Sequence, residues 1–400
     1  MKNKNTEVIF CSKCVESNQR FVSSISHEDS KNRKQATTNI NNENICFACR
    51  YYEKKNKINW SERERELAEL CNKFRSKDGS YDILIPGSGG KDSVWVSYLM
   101  KHKYKMNPLT ITWAPHMYTD IGWKNYKNWV DSGFDNYLLT PNPKVHRILT
   151  RLAFKNLLHP FQPFAMGQTY LPVQIALEKK IKFIIYGDAQ AEKCGDDNLW
   201  DEGASLNPKI FSYDKLEDLF FGGVSYNDLN KYGITKHDIK PYLPIKREEF
   251  EKFNIQTAVL PYYLKYNPQD NFYLAKETTN FQTNSQRTDG TYSKYSSIDD
   301  KMDDLHHYTW FIKTGRGRCT EDACLEIRNK IITRDEGISL VKKYDGEFPD
   351  NYFSEIMKYY GINENYFLKL CDKFKSPHLW KKIGKKWHLR HTANKDGIDD

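Results

Sequence analysis

The junction at residues 81–93 constrains this chain more than any other segment. Tyr81-Asp82-Ile83-Leu84-Ile85 is a short apolar run, and Pro86-Gly87-Ser88-Gly89-Gly90-Lys91-Asp92-Ser93 follows it without a gap. That order predicts a strand, a glycine-rich turn and then a helix. Glycines admit positive φ and let a backbone approach its ligand closely. Converging N–H groups and the positive end of the next helix then favour an anion. The spacing is neither the Walker nor the Rossmann glycine pattern, so the segment reads as a phosphate cradle of another kind.

From 81 to 187, short apolar runs alternate with helical patterns. Strands are expected at 81–85, 109–113, 136–139 and 181–186, and helices near 91–104, 122–132, 143–157 and 170–180. This alternation predicts an α/β fold, a doubly wound parallel sheet covered on both faces. Ligands of such sheets lie beyond the carboxyl ends of the strands. One crevice therefore gathers Ser88–Ser93, Trp113–His116 and Gly187–Glu192, with Trp113 assigned to nucleotide and His116 to substrate. Ahead of the first strand, Ser61-x-x-Glu64 reads as a capping box, and Leu67, Leu70, Cys71 and Phe74 follow at helical spacing. Beyond 200 the pattern weakens to short helices over 212–245, a strand at Ala258–Leu264 and a mostly helical module over 299–373. The expected division is a cysteine module (1–58), the α/β domain (59–200), a mostly helical substrate or partner region (201–375) and a basic tail (376–400).

Cys11-x-x-Cys14 and Cys46-x-x-Cys49 stand apart from the other cysteines. Two such knuckles place four thiolates for a tetrahedral metal, and a segment so poor in apolar residues needs one to fold. Structural zinc is the expectation, with an iron–sulfur cluster or a redox dithiol as the alternatives. No apolar run approaches the roughly 18 residues that span a bilayer, and the first residues lack a signal peptide's apolar core. A cytoplasmic chain without a membrane partner is expected. The net charge of +9 is diffuse apart from Lys381, Lys382, Lys385, Lys386 and Arg390. It permits anionic partners and does not call for nucleic acid.

Within the loop, Gly87, Ser88, Gly89, Gly90 and Ser93 supply backbone and hydroxyl donors to phosphate oxygens. Lys91 is placed to neutralise phosphate charge, and Asp92 to organise the loop or hold Mg²⁺ through oxygen. Asp188 and Glu192, after the fourth strand, are candidates to complete a magnesium or substrate site, with solvated loop carboxylates as the alternative. Gly315-Arg316-Gly317-Arg318 suits capture of a phosphate or carboxylate, or is a solvated basic turn. Cys71, Cys319 and Cys324 read as packing, and His306-His307 as structural.

The S-G-G-x-D-S core of the loop resembles the PP-loop of the ATP pyrophosphatases, a HUP-like fold whose members cleave ATP between its α and β phosphates. Longer stretches are similar to a single family, the N-acetyl sugar amidotransferases of bacterial surface-glycan synthesis, the group of WbpG and the pseudaminic acid protein PseA. They include Cys46-Phe47-Ala48-Cys49-Arg50-Tyr51, Thr112-Trp113-Ala114-Pro115-His116, Tyr118-Thr119-Asp120-Ile121-Gly122-Trp123, Pro160-Phe161-Gln162-Pro163-Phe164 and Ile332-Thr333-Arg334-Asp335-Glu336. The resemblance implies that ATP, with Mg²⁺, adenylates the oxygen of an N-acetyl group on a sugar or nucleotide-sugar. Ammonia then displaces AMP and leaves an acetamidino group. It also implies a separate glutaminase, paired with a cyclase-like subunit that channels the ammonia. Two departures stand out: the segment between the cysteine pairs is long and polar, and Gly187-Asp188-Ala189-Gln190 replaces the family's Gly-Glu-Asn. The alternative is a tRNA-thiolating PP-loop enzyme, which would require Cys194 as a sulfur carrier.

Overall fold

A computed structural model describes residues 8–19, 38–187, Lys193 and 204–394. Five strands form its main sheet: β1 (Ile83–Pro86), β2 (Pro108–Trp113), β3 (Asp135–Leu139), β4 (Phe183–Tyr186) and β5 (Gln256–Val259). All pairings are parallel, in the order β3-β2-β1-β4-β5. Successive side chains of a strand point to opposite faces, and β1 obeys this closely. Leu84 joins the core with Leu109, Ile111 and Ile184, while Ile83 and Ile85 join Phe183 and Ile185 on the other side. Both faces are buried, as a doubly wound sheet requires.

The first helix, α1 (Phe47–Lys55), carries Cys49 of the cysteine module; later helices cover each face of the sheet. On the Leu84 side lie α5 (Pro143–Leu157) and α6 (Gln162–Lys179), through Val145, Leu149, Leu171 and Val173. On the other side are α2 (Trp60–Phe74), through Leu67 and Cys71, and α3 (Lys91–Tyr98), through Trp95 and Val96. The helix α4 (Asp120–Asp131) buries Trp129 beside Val94 and Phe134. The cap of α2 differs from expectation. Asn59, not Ser61, is the N-cap, and its side chain accepts from the Glu62 N–H. Asn caps as well as Ser does, so the helix starts two residues earlier and gains about half a turn.

The expected boundary at 200 does not divide the sheet. β5 starts at Gln256, well past that boundary, and pairs in parallel with β4, Tyr186 opposite Val259; the chain then bends into a short helix, Leu260–Tyr263, where the strand was expected to continue. Helix α7 (Pro268–Thr279) comes next and reaches back to the loop after β1.

The C-terminal region is built from α8 (Asp303–Thr314), α9 (Arg318–Arg328), α10 (Arg334–Tyr344), α11 (Phe353–Tyr360) and α12 (Glu364–Phe374). It packs on α5, where Phe154 stacks on Tyr360 at 5.2 Å and Phe367 at 5.5 Å. Residues 376–394, expected as part of a basic tail, instead carry a hairpin, β6 (Trp380–Ile383) with β7 (Lys386–Leu389). Trp380 anchors it: the indole is buried and donates to the Ile312 carbonyl at 2.9 Å. Among the described residues no helix is long and apolar enough to cross a membrane.

Candidate functional site

The strand order reverses direction at β1, with β2 on one side and β4 on the other. Crevices open at such a switch point, and the glycine turn sits there. Gly89 adopts φ +83°, and a Cβ on it would lie 2.7 Å from the Tyr126 Cα, so only glycine fits. The Ser93 hydroxyl accepts from the Ser88 N–H at 3.1 Å and so ties the turn to the first turn of α3. Thr112 on β2 donates to the Gly87 carbonyl at 2.7 Å.

A cavity of about 520 Å³ opens beyond this turn, lined by Gly87 to Ser93. One end is apolar, with Trp113, Phe161, Phe164, Leu171 and Phe211 on its wall. Trp113 lies flat on α6 because Gly167 has no side chain; a Cβ there would come within 2.1 Å of the ring. Among the described residues, the Trp113 indole N–H and the Tyr186 hydroxyl are buried without partners.

The other end is polar. Asp92 is held by three donors: Lys91 Nζ at 2.8 Å, Asn271 Nδ2 at 2.9 Å and the Tyr266 hydroxyl at 3.3 Å. Burial pushes its carboxyl up, but Lys91, Lys193 and those hydrogen bonds outweigh it and hold the pKa below the usual range. Facing the turn are Asp299, Asp303 and Arg318. Burial raises the Asp299 carboxyl and Asp300 adds to the rise, while a hydrogen bond from Ser88 opposes it. Burial and then Asp299, Asp300 and Asp304 push Asp303 well up. Arg318 donates from Nε to Asp322 Oδ1 and from Nη1 to the Ser297 hydroxyl, both at 3.0 Å.

Other expected residues sit elsewhere. His116 lies behind Phe161 and Phe164 rather than on the cavity wall, its ring 5.1 and 5.3 Å from theirs. Its Nδ1 is 2.8 Å from Asp300 Oδ2, and its imidazole has no exposed surface. Arg316 does not face the cavity either. Its Nε lies 3.0 and 2.9 Å from the two oxygens of Glu16, and both side chains are buried. Asp188, Glu192 and Cys194 lie outside the described residues. The sequence reading missed Asn271, Tyr266, Asp299 and Asp303. The acidic run Asp299-Asp300-Lys301-Met302-Asp303-Asp304 was the available signal.

The four cysteines converge as expected. Their sulfurs all lie within 4.8 Å of one another and are buried. Cys11 and Cys49 are 3.9 Å apart and Cys14 and Cys46 3.6 Å apart. The Cys46 N–H points at the Cys11 sulfur at 3.3 Å. Four buried thiols so arranged form a set that could hold a metal ion. Cys71, Cys319 and Cys324 are buried in packing, as read from their spacing.

Comparison with known proteins bears on the C-terminal region. Residues 289–393 match the LPS biosynthesis protein WbpG-like C-terminal domain. The C-terminal region is thus similar to the C-terminal domain of WbpG-like proteins. A curated relative, the uncharacterized protein MJ1599 of Methanocaldococcus jannaschii, is 36% identical over 53 residues, 13% of this chain and 19% of that protein. The match thus spans about a fifth of the relative's length. Among solved structures, the ammonia-dependent NAD synthetase of Campylobacter jejuni is 16% identical, covering 49% of this chain and 82% of that one, with a TM-score of 0.28. The U34-tRNA thiolase NcsA of Methanococcus maripaludis, with its 4Fe–4S cluster, is 12% identical over 89% and 90% of the two chains, TM-score 0.28. The WbpG-like C-terminal domain includes Tyr295, Asp299, Asp303 and Arg318. It therefore supplies one wall of the cavity whose opposite wall is the glycine turn.

Proposed function

We propose that this WbpG-like chain uses ATP to activate the oxygen of an N-acetylated sugar and lets ammonia replace it. The observation that carries the reading is the glycine turn at the sheet's switch point, facing a cavity walled by the WbpG-like domain. The apolar end, with the unpartnered Trp113 N–H and Tyr186 hydroxyl, suits a heteroaromatic base. Backbone N–H groups of the turn and the start of α3 suit the phosphates.

The acetamido oxygen attacks the α phosphorus, the α–β bond breaks, and pyrophosphate leaves. Ammonia then adds to the adenylated carbon, and AMP departs with the former carbonyl oxygen. A Mg²⁺ ion accompanying the nucleotide would be held by Asp299 and Asp303. Both line the cavity and Asp299 hydrogen-bonds Ser88, whereas both oxygens of Asp92 already accept hydrogen bonds. Such an ion neutralises charge that develops on pyrophosphate. Asp92 instead fixes Lys91 and α7 around the turn. The cysteine centre suits a single zinc ion. Its 3.6 and 3.9 Å sulfur separations match the edge of a tetrahedron built on Zn–S bonds of about 2.3 Å. Zinc, and not iron, is expected in elemental analysis of the purified protein.

The test is product release from the full chain. AMP and pyrophosphate should form only when an N-acetylated sugar or nucleotide-sugar and ammonia are both present. Release of ADP, or release that ignores the sugar, overturns the reading. The ammonia source is assigned to a partner glutaminase, and adding one with glutamine should replace free ammonia.

A further inference from the structure

Arg318 has a third use for its guanidinium. Nε and Nη1 are taken by Asp322 and Ser297, and among the described residues Nη2 has no acceptor. The side chain is on the cavity wall facing the glycine turn. On the opposite side, Lys91 is already paired with Asp92 at 2.8 Å. The cradle's own lysine is thus partly neutralised, and a leaving pyrophosphate needs a further cation. A guanidinium fixed at two nitrogens is pre-organised for phosphate oxygen, since little freedom is left to lose.

The surroundings explain how it stays there. Arg318 opens α9, and α9 is pinned to the cysteine module at both ends. Just before it, Arg316 meets Glu16 in a buried ion pair and stacks on Trp310 at 4.9 Å. At its far end Arg328 Nη1 lies 3.8 Å from the Cys14 sulfur. Arg334, opening α10, donates to the Cys14 and Cys11 carbonyls at 3.1 and 3.2 Å. The Gly317 and Thr320 N–H groups both go to Asp345, each at 3.1 Å.

We propose that Arg318 contacts the departing pyrophosphate, and that the cysteine module, through Glu16 and Arg316, is what positions it. Arg318 is then the catalytic residue that the C-terminal module contributes, and Glu16 a positioning residue. The metal centre acquires a role beyond local folding, because it sets the position of a side chain in the nucleotide cavity. This rests on the reading of the cavity as an ATP pyrophosphatase site.

Calorimetric titration of the full-length protein with inorganic pyrophosphate, and separately with AMP, tests it without turnover. Arg318→Met should weaken pyrophosphate about ten- to a hundredfold, the loss of one hydrogen bond from a charged group, and leave AMP unchanged. Arg318→Lys keeps the charge without the planar fork and should fall between. Glu16→Gln should weaken pyrophosphate several-fold, again sparing AMP. Unchanged pyrophosphate affinity in Arg318→Met overturns the proposal, as does equal loss of both ligands in Glu16→Gln. If the wild-type protein binds both ligands yet releases no pyrophosphate with sugar and ammonia, the amidotransferase reading fails while the assignment of Arg318 stands.

Discussion

Arg316 and Arg318 are two residues apart and have opposite fates, which shows what decides a residue's role here. Arg316 is buried against Glu16, 300 positions earlier in the chain, while Arg318 reaches the cavity. Spacing could point to a cation pair but not to its partners, because both partners come from distant chain. Gly89 is the contrary case, fixed by local geometry and legible at once. Its φ of +83° and the Tyr126 backbone 2.7 Å from a built Cβ leave no room for a methyl group. Gly89→Ala should therefore abolish nucleotide binding, measured by titration with ATP. The protein should stay folded by circular dichroism, since the strain is confined to the turn. Binding within a few-fold of wild type would show that the turn is not the cradle. Asp92 was also found from its motif, yet its three donors come partly from Tyr266 and Asn271, beyond the region where the sequence reading was secure.

At the scale of elements, local pattern served where a strand was apolar and its helix adjacent. The first four strands lie within a residue or two of their expected positions. β5 was displaced because Gln256-Thr257-Ala258-Val259 carries little apolar signal, and its place is set by pairing with β4 rather than by its own composition. The hairpin at 380–389 was hidden for a related reason. Lysine pairs separate Trp380, Ile383 and Trp387, so the lysines dominate the composition while Trp380 alone is buried. The start of α2 gives a test at this scale. Asn59 accepts from the Glu62 N–H at 3.3 Å, whereas Ser61 lies inside the helix. Asn59→Ala should cost about 1 kcal/mol, the usual loss of such a cap. Ser61→Ala should be neutral or slightly stabilising, because Ala is the better helix former. Urea midpoints of the two variants decide the matter, and equal losses would return the cap to Ser61.

Across the whole molecule, buried carboxyls of the C-terminal region make stability depend on pH in a direction that can be worked out. Burial raises the Asp304 carboxyl to about 7, and Asp289 and Glu347 add to the rise while Asn351 opposes it. Burial also raises Asp345, to about 6, against hydrogen bonds from Thr320 and Gly317. An unfolded Asp titrates near 3.9. Between about pH 4 and 7 the folded protein therefore holds protons that the unfolded chain has released, and stability from these groups falls as pH rises. Buried histidines work the other way. Burial lowers His306 to about 3, and lowers His146 and His307 as well, so they add stability as pH rises toward about 6.5. A single melting curve mixes the two effects, but the difference between a variant and the wild type does not. Asp304→Asn removes one raised carboxyl and leaves the histidines in place. Relative to wild type it should gain little near pH 4 and progressively more up to about pH 7, with a ceiling of about 4 kcal/mol at roughly 1.36 kcal/mol per pKa unit. A stability difference that stays constant over that range would mean that Asp304 is not held protonated by its burial.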